Sequence, residues 1–332
     1  MKTQLAAGLT VAALAVTAGG IILTAGAAQP LPARNPADTP VHKPQAPSAA
    51  TANAKPALFQ PPADQDMPQD EFGKVVQMGK DIFENTGRAA SQYVSPNSNL
   101  RCASCHLDAG RLANSAPLWA AYVAYPAYRS KNKHVNTYAE RIQGCFKFSM
   151  NGKAPPLGDP VLVALETYSY WLASGATINS KLPGRGYPKV AKPPLPRDYA
   201  RGQQVFEQHC AVCHGADGAG QVDANGRTVF PALWGEKSFN WGAGMGSIKN
   251  AAGFIKANMP LGLGGTLTDQ QAWDVATFMD SHERPQDPRF NGNLAETRAK
   301  YHDSPDSMYG LTVNGQQLGK GTPNSAPHNK RR

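Results

Sequence analysis

The run Cys-x-x-Cys-His occurs twice in this chain, as Cys102-Ala103-Ser104-Cys105-His106 and as Cys210-Ala211-Val212-Cys213-His214. In each copy two thiols stand at the spacing that forms thioethers to the vinyl groups of one haem. The adjacent histidine then ligates the iron from one side. Zinc is the other use of Cys-x-x-Cys pairs, but zinc sites do not call for a histidine directly after each pair. Two copies therefore predict two covalently bound haem c groups, one on Cys102 and Cys105 with His106, the other on Cys210 and Cys213 with His214. A haem held in this way supplies much of a domain core, so long irregular stretches around it are compatible with a compact fold.

The chain has 332 residues, enough for two small domains plus tails. Residues 1–28 read as an export signal: Lys2 gives a positive start, an apolar stretch runs from Leu5 to Leu23, and Ala25-Gly26-Ala27 offers small residues for cleavage. An uncleaved anchor is the alternative, because the stretch is long. Gly19-Gly20 and the alanines favour cleavage, which leaves no stable membrane insertion. Either reading places the working part outside the cytoplasm, and a periplasmic location is expected. Residues 29–65 are rich in Pro, Ala and small polar residues and predict a disordered spacer. Residues 291–332 read as a loosely structured extension ending in the basic run His328-Asn329-Lys330-Arg331-Arg332.

The formal net charge is +9. An exported haem protein does not meet nucleic acid, so the basic surface points to small anions. The charge is uneven: Arg129, Lys131, Lys133, Arg141, Lys147 and Lys153 lie close together in the chain with Glu140 as the one acid among them. This stretch follows the first haem motif, which suits an anion site beside that haem.

Each motif follows an amphipathic helix and precedes another. Glu71 to Asn85 places Phe72, Val75, Val76, Ile82 and Phe83 near helical spacing, and Asp198 to His209 carries Tyr199, Val205 and Phe206, with Gly202 permitting close backbone approach. Asp159 and Pro160 can start a helix running to Ser174, with Gly175 placed to end it. Thr268 with Gln271 forms a capping box for a helix running to His282. Helix, haem motif, long loop, helix is the layout of a small class I type cytochrome c domain. The chain is thus expected to be mainly α, with two tandem domains of this kind at 66–175 and 198–290, joined by the proline-rich linker 176–197.

The second axial ligand of each iron sets its potential and reactivity. For the second haem the candidates are Met245, Met259 and Met279. Met259 precedes Pro260 and lies a short loop before the last helix, where cytochromes of this layout place their methionine. Met279 lies within that helix, where packing explains it. For the first haem, Cys145 is the only cysteine outside the motifs, so it has no intramolecular disulfide partner. It is an inert buried thiol, an intermolecular disulfide, or an iron ligand, with Met150 and His134 as its rivals in the last role.

The chain resembles the dihaem thiosulfate dehydrogenases from about Phe72 to Arg289. The most specific stretches are Asn99-Leu100-Arg101-Cys102-Ala103-Ser104-Cys105-His106-Leu107-Asp108-Ala109-Gly110, Glu140-Arg141-Ile142-Gln143-Gly144-Cys145, Ser149-Met150-Asn151-Gly152 and Phe254-Ile255-Lys256-Ala257-Asn258-Met259-Pro260. The resemblance implies oxidation of thiosulfate to tetrathionate, reversed in some members, with His106 and Cys145 on a first, catalytic haem and His214 and Met259 on a second haem that passes electrons out. In some members a lysine beside the methionine exchanges with it; here the neighbour is Asn258, and Lys256 has the wrong offset. The resemblance also implies Arg141 as an anion clamp, with Gln143 and Ser149 as hydrogen-bond donors; Arg129 and Lys131 are further anchors. A soluble cytochrome c or iron–sulfur protein is the implied electron acceptor. Two other functions use the same parts: a dihaem electron carrier without chemistry of its own, and a sulfur-carrier cytochrome subunit of a thiosulfate-oxidising complex.

Overall fold

The computed structural model describes residues 57–178 and 181–323. The export signal, most of the 29–65 spacer and the basic end of the chain lie outside the described residues. The first half contains α1 (Glu71–Glu84), α2 (Tyr138–Gly144) and α3 (Pro160–Leu172). The second contains α4 (Tyr199–His209), α5 (Ile248–Asn258) and α6 (Asp269–Asp280), and α7 (Leu294–Tyr301) follows. Shorter helical turns lie between these, and there are three small antiparallel hairpins among the described residues: β1 (Ala127–Arg129) with β2 (His134–Asn136), β3 (Gln221–Val222) with β4 (Thr228–Phe230), and β5 (Thr312–Val313) with β6 (Gln316–Gln317). Among the described residues no helix is long and apolar enough to cross a membrane.

Local chemistry fixes the helix starts. Asp70 accepts from the Gly73 amide at 2.9 Å, Asp159 from Val161 at 2.9 Å with Pro160 behind it, and Asp198 from Arg201 at 2.8 Å. Thr268 and Gln271 satisfy each other's backbone amides, at 3.2 and 2.8 Å. Each such cap contributes about 1 kcal/mol. The C-terminal ends fall slightly earlier than expected: α3 stops at Leu172, and Gly175, at φ +86°, turns the chain beyond it.

The two halves repeat one packing device. In the first, α1 meets α3 at Gly79, where a Cβ would lie 2.1 Å from the Ala164 carbonyl oxygen and 2.7 Å from the Tyr168 Cβ. In the second, α4 meets α6 at Gly202, where a Cβ would lie 2.1 Å from the Asp274 carbonyl oxygen and 2.8 Å from the Phe278 Cβ. One turn after each glycine an aromatic ring fills the crossing: Phe83 lies 5.9 Å from Tyr168, and Phe206 lies 5.3 Å from Phe278. Each crossing anchors its own core. Val76, Ile82, Trp119, Phe146 and Leu162 belong to the first, and Trp241, Ile248, Val275, Met279 and Leu318 to the second.

Three segments are more ordered than their composition suggests. The end of the proposed spacer packs down: the Phe59 ring lies 5.2 Å from Trp119, and Asp64 pairs with Lys80 and, at 2.6 Å, with Arg111. The 291–332 extension is not loose over its described part. Tyr309 and Leu318 are buried in the second core, and Tyr309 stacks on His302 at 4.1 Å and meets Trp241 at 5.6 Å. The 176–197 linker has no regular element among its described residues, yet it is pinned. Asn114 and Ala116 donate their amides to the Gly184 and Gly186 carbonyls at 2.6 and 2.9 Å. All three hold through contacts distant in sequence, which periodicity does not report.

Candidate haem and anion site

The site grows out of α2. Thr137 and Glu140 form its capping box, and after Gly144 the helix widens into a π turn over Cys145–Ser149. Such widened turns are frequent at functional positions. Arg141 and Cys145, four residues apart, share one face. The Arg141 Nη1 donates to the Cys145 Sγ at 2.9 Å. Both line a cavity of about 360 Å³ together with Cys102, Cys105, His106, Arg129 and Ser149. Phe83, Leu118, Ile142, Phe146 and Leu165 give the same cavity its apolar wall.

The groups expected to hold a haem are in the forms it would require. The His106 Nδ1 lies 2.7 Å from the Ala116 carbonyl. A carbonyl only accepts, so the proton sits on Nδ1 and the Nε2 lone pair is left for a metal. Burial draws His106 down to about 4, which keeps the imidazole neutral. Burial likewise pushes Cys102 and Cys105 up to about 12, so this environment favours uncharged sulfur, the state of a thioether. The supporting loop is strained: Asp108, Ala109, Asn114 and Ala116 all have left-handed backbones without being glycine. For Ala109 and Ala116 this costs roughly 1–2 kcal/mol each, less for Asp108 and Asn114, and the strain falls in the loop that orients His106.

Arg141 is half-buried, and the neighbouring Cys145 sulfur stabilises the charge of its guanidinium against that burial. Among the cavity-lining residues there is no Asp or Glu, whereas Arg101, Arg129, Arg141 and Arg185 all reach it. The Nε of Arg101 is buried without a hydrogen-bond partner.

Two expected anion ligands take other positions. The Gln143 amide donates to the Pro155 carbonyl at 2.7 Å, and Gln143 does not line the cavity. A residue two before Cys145 on a helix faces away from it. Lys131 is exposed as a residue, but its ammonium ends on the Gly242 carbonyl and 4.3 Å from the Phe148 ring, outside the cavity lining. Burial of that ammonium, aided by Arg289 and Arg141, lowers its proton affinity to about 7. His134, a rival iron ligand, is exposed, lies 3.5 Å from Glu140 and is likewise not a lining residue. Met150 does line the cavity, packed in the first core. Sequence reasoning missed Arg101, Arg185 and Tyr187, which also line it, and weighed Met245 only for the second haem, whereas it lines this cavity. Arg101 adjoins the motif and was open to suspicion; Arg185 and Tyr187 arrive from the linker and Met245 from the second half, with no local signal.

The second motif repeats the first in miniature. The His214 Nδ1 lies 2.9 Å from the Pro231 carbonyl, and burial lowers its proton affinity. Met259 directly follows α5 and packs against the same core as Cys210. Its rivals are occupied: Met279 is buried within the core and Met245 faces the first cavity. The Lys256 ammonium binds the Leu267 carbonyl and lies 3.3 Å from Asp269. Asn258 donates to the Phe254 carbonyl at 3.0 Å and to the Asn114 carbonyl at 3.1 Å, which ties the Met259 segment to the strained loop of the first motif. Neutral imidazoles with oriented Nδ1–H groups, paired thiols and soft sulfur donors fit two attached haems.

The cytochrome c family model matches residues 199–283. Over 283 residues the chain is 58% identical to the thiosulfate dehydrogenase of Thiomonas intermedia (strain K12), covering 85% of this chain and 89% of that one. It is 54% identical over 267 residues to the thiosulfate dehydrogenase of Stutzerimonas stutzeri (strain A1501), covering 80% of this chain and 86% of that one. The solved structure of thiosulfate dehydrogenase (TsdBA) from Marichromatium purpuratum, in its as-isolated form, matches 80% of this chain with a TM-score of 0.76 and 46% identity. This chain spans 58% of the length of that solved chain. With relatives so similar over most of its length, the chain belongs to the thiosulfate dehydrogenase family.

Proposed function

We propose that the protein is a periplasmic dihaem cytochrome c that couples two thiosulfates to one tetrathionate and hands the electrons to a small soluble acceptor, a cytochrome c or an iron–sulfur protein. The observation that carries this reading is the Cys145 sulfur, 2.9 Å from the Arg141 guanidinium, inside the cavity that Cys102, Cys105 and His106 also line. In this reading residues 66–175 and 198–290 are tandem cytochrome c domains. Cys102 and Cys105 hold the first haem with His106 and Cys145 at the iron; Cys210 and Cys213 hold the second with His214 and Met259. When bound, the haems supply one-electron redox chemistry, so that two of them together match the two electrons of one coupling.

In the overall reaction two thiosulfate dianions lose one electron each, and a sulfur–sulfur bond forms between their outer sulfurs. Charge is the obstacle the protein must remove. Two unit charges 4 Å apart repel by roughly 4 kcal/mol in a medium typical of a protein surface, and two dianions by about four times as much. Arg141 holds one anion against Cys145, and Arg129 adds a second positive charge to the same cavity, which carries no acid. Ser149 supplies a hydroxyl donor one helical turn beyond Cys145. Tetrathionate keeps both terminal sulfonates, so the same cations serve the reverse reduction.

The test is the haem-loaded Cys145→Gly variant. It is expected to retain two haems per chain and lose thiosulfate-dependent reduction of an artificial acceptor by about a hundredfold or more, the loss typical of a group acting at the reacting atoms. Full activity in this variant would remove Cys145 from the mechanism.

A further inference from the structure

Resting on that reading, we infer that Arg185, in the linker between the two halves, is the cationic contact for the second of the two sulfur anions. Coupling brings two anions together, and Arg141, 2.9 Å from the Cys145 sulfur, serves in that reading the one at Cys145. Arg129 lines the same cavity from the β1–β2 hairpin, next in the chain to α2, which carries Arg141. Lys131 is spent on Gly242 and Phe148. Arg185 enters the cavity from a different chain segment, is exposed, and so stands where the cavity opens.

The backbone around Arg185 is fixed from both sides. Gly184 and Gly186, at φ +79° and +66°, accept the Asn114 and Ala116 amides. Ala116 is the residue whose carbonyl orients His106, so Arg185 keeps a set relation to the first haem motif. Just beyond, the Tyr187 ring meets Phe254 of α5 edge-on at 5.5 Å, and Gly253 admits the Pro188 carbonyl to 2.3 Å from where a Cβ would stand. No acidic side chain pairs with Arg185 among the described residues, and none lines the cavity. A planar guanidinium carried on a fixed backbone at an opening, with no acidic partner, suits one end of a sulfonate-bearing anion.

The experiment compares haem-loaded wild type, Arg185→Gln and Arg185→Lys by steady-state tetrathionate formation and by optical titration of the oxidised protein with thiosulfate. Arg185→Gln should raise the half-saturating thiosulfate concentration about tenfold or more, the loss expected for a charge-assisted hydrogen bond. Arg185→Lys should recover much of it, with haem count and first-haem potential as in wild type. An unchanged half-saturation overturns the assignment. So does a shifted haem potential at unchanged half-saturation, which would give Arg185 to a haem carboxylate. Should wild type form no tetrathionate, the coupling reading fails by itself. The titration then decides separately: weaker thiosulfate binding in Arg185→Gln keeps the contact, and equal binding removes it.

Discussion

Asp287 shows how a single residue supports the site from behind. It is buried, and it accepts from the Arg289 side chain at 2.9 and 2.6 Å and lies 2.9 Å from the His302 Nε2. Arg289 in turn lies 4.8 Å from the Phe148 ring, three residues after Cys145. Burial works to raise the Asp287 proton affinity, but the bonds from Arg289 and His302 overcome it and hold the carboxyl well below the usual carboxylate range. A carboxyl depressed in the folded state contributes stability above its unfolded value, about 3.9, and that contribution is lost as pH falls towards the folded value. Asp287→Asn should therefore cost on the order of 3 kcal/mol near neutrality, by leaving Arg289 unpaired. In urea unfolding the gap between the two proteins should shrink below about pH 4. A gap that stays constant down to pH 2 would mean that the charge is not its source. None of this was legible in the sequence, where Asp287 sits in an unremarkable Pro-Gln-Asp-Pro run. By contrast the motif cysteines, His106 and the unpaired Cys145 announced themselves, because attachment chemistry fixes their spacing and leaves one thiol over.

At the scale of elements, caps were readable and close approaches only partly so. Asp159 with Pro160, and Thr268 with Gln271, act within four residues of chain, so the sequence contains the whole interaction. Gly202 reads as a contact point, and the structure adds Gly79 as its counterpart. Gly79→Ala and Gly202→Ala should each destabilise by roughly 1–3 kcal/mol, because a methyl group in either place meets backbone oxygen. The effect outweighs the gain in helix propensity from alanine, about 1 kcal/mol. Thermal unfolding of the haem-loaded variants measures it; two unchanged midpoints would mean that the crossings yield freely and are not the anchors of the two cores. The packed 57–65 and 291–323 segments were illegible for the opposite reason. Phe59 finds Trp119, and Tyr309 finds Trp241, across long stretches of chain.

Across the whole molecule, three asparagines near the site, among others, join the halves. The Asn99 Oδ1 accepts the Ala232 amide at 3.1 Å, Asn240 donates to the Lys147 carbonyl at 2.9 Å, and Asn258 donates to Asn114. Each one stands near a piece of haem chemistry: beside the first motif, against the π turn of Cys145, and beside Met259. Joining the halves with satisfied polar bonds fixes their register more sharply than an apolar contact would. The arrangement also lets the linker serve the first cavity, which composition alone reads as a passive spacer. In the proposed function one chain couples two thiosulfates at the Cys145 cavity. The most direct measurement is turnover of the haem-loaded protein with thiosulfate and an artificial one-electron acceptor, counting tetrathionate against acceptor reduced. One tetrathionate for every two electrons delivered is the expected result. A protein carrying both haems that reduces no acceptor with thiosulfate, and forms no tetrathionate, would contradict the account.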